Sequence, residues 1–358
     1  SVVAYRIVEG GGSSIDINAN GRPDDLIASG AFDLERGVRI PMADGSPRQE
    51  VSGSLLAFTQ PAPAAGGPDT LYWYDAGRAD PGPHRVSDGN HAGFVVTRRA
   101  VGGDPRGRRV HPYDLAVAGG RIAFAVSEAA QHEDLSADGD QNDVVLHTFD
   151  THTGIVVDSK LSLITDGALA TLAMTPTQVA FQTTQFGRAV VGVYGIDGGA
   201  LRYVCNDTLA GTPGLLVPSL SDTLIPCLRN GVLQVFPGVG PVRDLGLRIL
   251  PIGEQVVPSG VLVSGDVLAA GVDEGVQSAD LDGDGSITPG RFVLHTYQVV
   301  RGGVPTNFRQ PLVRPEPPYL DFARHGLTVL AANPAPPGGL VRKIFRDVDR
   351  DGVFEEPV

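Results

Sequence analysis

An internal repeat constrains this chain more than any other feature. Gly119-Gly120-Arg121-Ile122-Ala123-Phe124-Ala125-Val126-Ser127-Glu128 leads through an acidic loop to Val144-Val145-Leu146-His147-Thr148-Phe149-Asp150. Ser264-Gly265-Asp266-Val267-Leu268-Ala269-Ala270-Gly271-Val272-Asp273-Glu274 leads through another to Phe292-Val293-Leu294-His295-Thr296-Tyr297. Order and spacing match, and each segment reads as strand, acidic loop, strand. Such a pair exposes apolar faces that it cannot cover alone, so neighbouring copies must cover one another.

Five weaker copies share the pattern. Residues 2–9 lead to 26–29, 54–59 to 70–75, 178–183 to 189–194, 223–227 to 232–236, and 327–332 to 340–345. Seven units in 358 residues give about 51 residues each, near the ~40–50 of a four-stranded propeller blade. The 47 Gly and 28 Pro are spread throughout, as many short strands joined by tight turns require. The expected fold is therefore all-β, a seven-bladed β-propeller in one domain. Its blades fall near residues 1–45, 46–105, 106–165, 166–215, 216–250, 251–312 and 313–358. Six blades is the alternative, because the unit around Cys227 is weakly marked. The first unit is expected to lack its innermost strand.

The sequence D-x-[DNS]-x-[DN]-G occurs four times. The copies begin at Asp16 (with Asn18 and Asn20), Asp134 (with Ser136 and Asp138), Asp280 (with Asp282 and Asp284) and Asp347 (with Asp349 and Asp351). Alternate residues offer oxygens, and the glycine permits the turn that folds them around one point. Many oxygens at flexible geometry are what a hard cation such as Ca²⁺ takes. Asp24 or Asp25 would close the first shell, and Asp140 and Asp143 the second; the third offers only Ser286 and Thr288, and the fourth Glu355 or Glu356. None is an EF-hand: the twelfth loop positions are Ile27, Val145, Arg291 and Val358, not the bidentate Glu of that motif. Glu9, Glu128 and Glu274 end the preceding strands and offer a further ligand from across the hairpin, or else a solvent-facing strand end.

The run from Asp16 to Asp24 resembles the FG-GAP calcium loop of integrin α-chain propellers and their bacterial relatives, D-x-[DN]-x-[DN]-G-x-x-D. In its architecture most of the chain resembles secreted bacterial β-propellers with degenerate repeats of that type, while the specific motif covers only the loops. The resemblance implies a propeller with up to four Ca²⁺ sites. It selects no activity, since such families include adhesins, display modules and enzyme-associated domains.

The net charge of −13 argues against nucleic acid, whose binding rests on Lys and Arg. Four Ca²⁺ ions would offset more than half of it. No apolar run approaches the roughly 18 residues of a membrane span. Weak loop-type sites suit the millimolar Ca²⁺ outside cells, which predicts a secreted or cell-surface protein. In that setting Cys205 and Cys227 predict a disulfide, the alternative being two buried thiols.

Two segments share Pro-Tyr and precede a first strand. They place Arg109, His111 and Tyr113, and Glu316 and Tyr319, as candidates for a ligand site at the channel mouth, or as packing between blades. His147 and His295 occupy one repeat position and read as strand residues making local hydrogen bonds. No nucleophile elbow, zinc, P-loop or dinucleotide motif is present. The expected role is binding, adhesion or structural assembly, with an extracellular protein, a glycan or another copy of the chain as partner. The rival is a calcium-dependent hydrolase or lyase acting on an extracellular polymer at the central channel.

Overall fold

The computed structural model describes residues 1–7, 28–42, 49–60, 70–86, 115–163, 165–166, 169–170, 172–185, 188–204, 215–216, 220–229, 231–238, 240–249, 261–298, 305–312, 320–323, 326–332 and 340–345. The chain divides into two compact units, Ser1–Thr184 with Tyr194–Leu201, and Gln185–Val193 with Arg202–Val358.

In the first unit the strands follow one another as antiparallel meanders. Val2–Ile7, Ala28–Asp33 and Val38–Ile40 form a three-stranded sheet. Gln49–Ser52, Leu55–Gln60, Thr70–Asp75 and His84–Arg85 form the second sheet. Leu115–Ala118, Arg121–Ser127, Val144–Asp150 and Ile155–Ser162 form the third. Leu172–Met174, Gln178–Gln185, Arg188–Gly195 and Leu201–Val204 form the fourth, and the unit boundary falls within it. Among the described residues the first sheet holds three strands, and Thr165–Asp166 pairs with Leu169–Ala170 in a separate two-stranded sheet.

Period-2 alternation explains how these sheets stack. Leu55 and Ala57 point to one face and pack with Ile122, Phe124 and Val126 of the third sheet. Leu56 and Phe58 point to the other and pack with Val2, Ala31 and Ile40 of the first. In the third sheet, Ala123 and Ala125 turn to Leu172, Val179 and Phe181 of the fourth. Each buried Leu, Ile or Phe contributes about 1.5–3 kcal/mol. The first strands of successive sheets lie side by side: Val2–Ile7 beside Gln49–Ser52, that beside Leu115–Ala118, and that beside Leu172–Met174. Sheets stacked face to face with adjacent first strands are the arrangement of propeller blades.

The second unit repeats the scheme. Leu215–Leu216, Ile225–Arg229, Val232–Phe236 and Arg243–Arg248 form the fifth sheet. The sixth holds Val261–Ser264, Val267–Asp273, Phe292–Gln298 and Thr306–Leu312. Leu320–Ala323, Gly326–Ala332 and Leu340–Phe345 follow, tied to the sixth through Leu312 and Ala331. Leu233 and Val235 pack with Leu268, Ala270 and Val272. All seven strand pairs anticipated from the sequence are hydrogen-bonded neighbours. Among the described residues no helix is long and apolar enough to cross a membrane.

Turns on successive sheets are clasped by side chains. Arg36 Nη1 donates to Ala76 O at 2.6 Å and Nη2 to Arg78 O at 2.7 Å. Arg78 Nη1 in turn donates to Thr151 O at 2.6 Å, and Arg121 Nη1 to Pro176 O at 3.1 Å while pairing with Asp197. In the second unit Arg202 Nη1 reaches Gly238 O at 3.0 Å and Thr223 Oγ1 reaches Gly265 O at 3.0 Å. The first clasp is aimed by Asp33, whose side chain is fully buried. Asp33 accepts from Arg36 Nη1 at 2.9 Å, Tyr74 Oη at 2.8 Å, and the backbone of Glu35 and Arg36 at 3.0 and 3.1 Å. Burial opposes its ionisation, but these donors outweigh it and hold the carboxyl far below the usual carboxylate range.

The outer strands of the third, fifth and sixth sheets carry the same irregularity. Lys160, Gly246 and Arg309 adopt left-handed φ of 57°, 68° and 52°. The residue two before donates no side chain but accepts: Asp158 Oδ1 from Lys160 N at 2.8 Å, Asp244 Oδ1 from Gly246 N at 2.7 Å, and Asn307 Oδ1 from Arg309 N at 2.7 Å. The fifth sheet already uses glycine here, where a Cβ is unfavourable. Lys160→Gly is therefore expected to stabilise the protein by about 1 kcal/mol in urea unfolding, net of the added freedom of the unfolded chain. A loss of stability would show that the lysine side chain contributes more than its strain costs.

The acidic loops as a candidate metal site

The sequence reading places Glu128 and Glu274 at strand ends, with a solvent-facing side chain as one alternative. The structure corrects both points. Each Glu opens a single helical turn, α1 (Glu128–Gln131) and α2 (Glu274–Gln277), closed by a left-handed residue, His132 at φ 59° and Ser278 at φ 57°. Both glutamates are fully buried. Their carboxylates neither face solvent nor end a strand. They hold the loops by accepting backbone N–H groups.

In the second loop Glu128 Oε1 accepts from Ser136 N at 2.7 Å and Oε2 from Asp143 N at 3.0 Å. Asp134 accepts from Asp138 N at 3.2 Å and Gly139 N at 3.0 Å, Asp138 from Asp140 N at 3.1 Å, and Asp140 from Asn142 N at 2.8 Å. Asp143 is held by the Ser162 hydroxyl. Leu135 is buried and anchors the loop in the core between the second and third sheets. Ser136 Oγ is buried and makes no hydrogen bond. Among the described residues no Lys or Arg pairs with Asp134, Asp138, Asp140 or Asp143. An orphaned buried hydroxyl in a loop rich in carboxylates fits an oxygen-seeking cation.

The third loop repeats this frame. Glu274 Oε1 accepts from Leu281 N at 2.9 Å and Asp282 N at 3.2 Å, and Oε2 from Thr288 N at 3.0 Å. Asp280 accepts from Gly283 N at 2.7 Å and Gly285 N at 2.8 Å. Oxygens of Glu274, Asp280 and Asp282 converge to within 4.8 Å of one another. One difference stands out: Arg291 donates to Asp282 Oδ2 at 2.8 Å and also pairs with Asp284. Ser286 donates to Asp284 Oδ1 through its N–H at 2.8 Å and its hydroxyl at 2.7 Å. The Ser286 hydroxyl first, then the Arg291 guanidinium, hold the Asp284 carboxyl down to about 2.

The structure thus brings together Asp134, Ser136, Asp138, Asp140 and Asp143 in one loop, and Asp280, Asp282, Asp284 and Ser286 in another. It adds Glu128 and Glu274 as the buried supports of each. Asp16, Asn18, Asn20, Asp24 and Asp25 of the first loop lie outside the described residues, as do Asp347, Asp349, Asp351 and Glu355 of the fourth. The same is true of Glu9, Arg109, His111, Tyr113, Glu316, Tyr319 and Cys205. Cys227 is fully buried in the fifth sheet. His147 and His295 are buried strand residues whose Nδ1 donates to Val145 O at 3.3 Å and Val293 O at 3.2 Å. Burial pushes the His295 imidazole below its usual range.

No protein-family model and no curated protein sequence matches the chain. Solved structures similar to it include dipeptidyl peptidase 4 of Porphyromonas gingivalis, at 12% identity and a TM-score of 0.51, covering 90% of this chain and 47% of that one. TolB of Acinetobacter baumannii matches at 12% identity and a TM-score of 0.42, over 83% of this chain and 61% of that one. The β-propeller domain of the Trilobed protease of Pyrococcus furiosus matches at 8% identity and a TM-score of 0.42, over 87% and 84%. The chain therefore spans about half to three-fifths of the peptidase and TolB chains. The likeness is one of fold: an all-β chain with β-propellers among its structural neighbours.

Proposed function

We propose that the chain is a seven-bladed β-propeller that serves as an extracellular binding, adhesion or assembly module, with Ca²⁺ fixing its acidic loops. Its partner is an extracellular protein, a glycan or another copy of the chain. Support comes from the second loop, which holds four aspartates and the orphaned Ser136 Oγ beside the buried Glu128, and from the third, where oxygens of Glu274, Asp280 and Asp282 converge. Asp134, Ser136, Asp138, Asp140 and Asp143 would hold the ion. A bound divalent charge would offset the repulsion among these carboxylates, so stability would follow metal concentration. The first and fourth loops share the spacing and belong to the same proposal. A Cys205–Cys227 disulfide is part of it too, and the burial of Cys227 is consistent with that bridge.

Thermal unfolding in calcium against excess EGTA tests this reading. At calcium near a hundred times its Kd, each site is expected to contribute about 2.7 kcal/mol, seen as a melting temperature several degrees higher. Asp138→Asn with Asp140→Asn should remove part of that difference. Identical melts in calcium and EGTA would end the calcium proposal.

A further inference from the structure

The second and third loops share a frame but differ in charge at several positions, among them the residue that closes the loop. The N–H of Glu128 donates to Asp143 O at 3.0 Å, and the N–H of Glu274 donates to Arg291 O at 3.0 Å. Asp143 and Arg291 therefore occupy the same place in the two loops. One carries a carboxylate, the other a guanidinium.

We propose that Arg291 is the resident cation of the third loop, supplying the positive charge that a divalent ion would supply, so that this loop is built without calcium. Three observations carry this. Arg291 bridges Asp282 and Asp284, the two alternate carboxylates that a cation would draw together. The Asp282 side chain is only 7% exposed, so a second cation reaching it would meet the guanidinium at close range with little water between. Each carboxylate oxygen of Glu274, Asp280, Asp282 and Asp284 already accepts a hydrogen bond from within the loop. A second basic group lies close by: a Cβ built on Gly283 would stand 3.6 Å from Arg309 Nη1.

The substitution has a structural consequence. α2 is docked on the fifth sheet through Gln277, which accepts from Arg248 N at 2.7 Å and donates to Gly246 O at 3.0 Å. Asn307 Nδ2 donates to Leu281 O at 2.8 Å from the outer strand of the sixth sheet. The third loop thus joins two sheets by contacts that do not depend on metal supply. The inference sharpens the calcium proposal, using the second loop as its comparator.

Amide hydrogen exchange on the full chain in calcium chloride and in EGTA tests it. In the wild type, the amides of Leu281, Asp282 and Thr288 are expected to exchange at the same rate in both. In Arg291→Gln they should become calcium-dependent, slowing about tenfold when the ion is added. Arg291→Lys, which keeps the charge, should behave as the wild type. Calcium-dependent exchange at these amides in the wild type would overturn the inference and needs no variant that folds. So would an Arg291→Gln protein with no calcium response. The amides of Ser136 and Asp143 report separately on the second loop: if they ignore calcium, the calcium proposal fails while the assignment of Arg291 is still decided by the third loop.

Discussion

Glu274→Ala is expected to destabilise the protein by about 4 kcal/mol in urea unfolding. The carboxylate is fully buried and accepts three backbone N–H groups, from Leu281, Asp282 and Thr288. Hydrogen bonds to a charged group contribute about 1.5–3 kcal/mol each, and the abandoned donors are left in a dry site. One effect runs the other way. Removing a carboxylate relieves repulsion from Asp280 and Asp282, and at the effective dielectric of such sites that relief is about 4 kcal/mol per close pair before Arg291 is counted. Arg291 pairs with Asp282 and offsets that share of it, and the three lost hydrogen bonds are expected to prevail. Glu274→Gln keeps the shape but turns one acceptor into a donor aimed at an N–H, so it should lose stability as well, by less. Glu128→Ala should behave likewise, losing its bonds to Ser136 and Asp143. A cost under about 1 kcal/mol for Glu274→Ala would mean that these glutamates do not organise the loops.

The Asp33 cluster should make the first unit sensitive to acid. Tyr74→Phe removes one hydrogen bond to a buried charge and is expected to cost about 2 kcal/mol. Asp33→Asn should cost more, because it weakens the contacts of Arg36, Tyr74 and two backbone groups together. Asp33 is depressed in the folded state, so its contribution is fully present above the unfolded carboxylate value of about 3.9. It is lost as pH falls through the lower folded value. The stability gap between wild type and Asp33→Asn should accordingly be constant at neutral pH and close progressively below about pH 4. Chemical denaturation at a series of pH values measures this. A gap that persists unchanged into strong acid would place the effect of the substitution in packing rather than in charge.

The sequence announced much of this architecture and little of its fastening. The paired strands were legible because Leu55 to Phe58, Ile122 to Val126 and Val267 to Val272 are short continuous apolar runs bounded by turn residues. Innermost strands such as Leu172–Met174 are three or four residues long, too short for a period to show. α1 and α2 hold four residues each, about one turn, so Glu128 and Glu274 look like the ends of their strands. Only the fold shows them buried beneath the loops. The clasps join residues 40 and 73 positions apart, Arg36 to Ala76 and Arg78 to Thr151, beyond any local pattern. Asp33 reads as an ordinary turn acid until Tyr74 is brought to it. The position of Arg291 was visible as a failed twelfth ligand, but its grip on Asp282 and Asp284 required the loop to be folded.

The left-handed residues of the outer strands bear on how this protein behaves when crowded. A straight, unpaired rim of N–H and C=O groups invites another molecule to add a strand, and from there a chain of molecules can grow. In the third and fifth sheets that rim is broken by a kink at Lys160 or Gly246, and the neighbouring Asp158 and Asp244 consume one N–H apiece. At those two flanks the backbone offers an interrupted template, so growth by strand addition is disfavoured there.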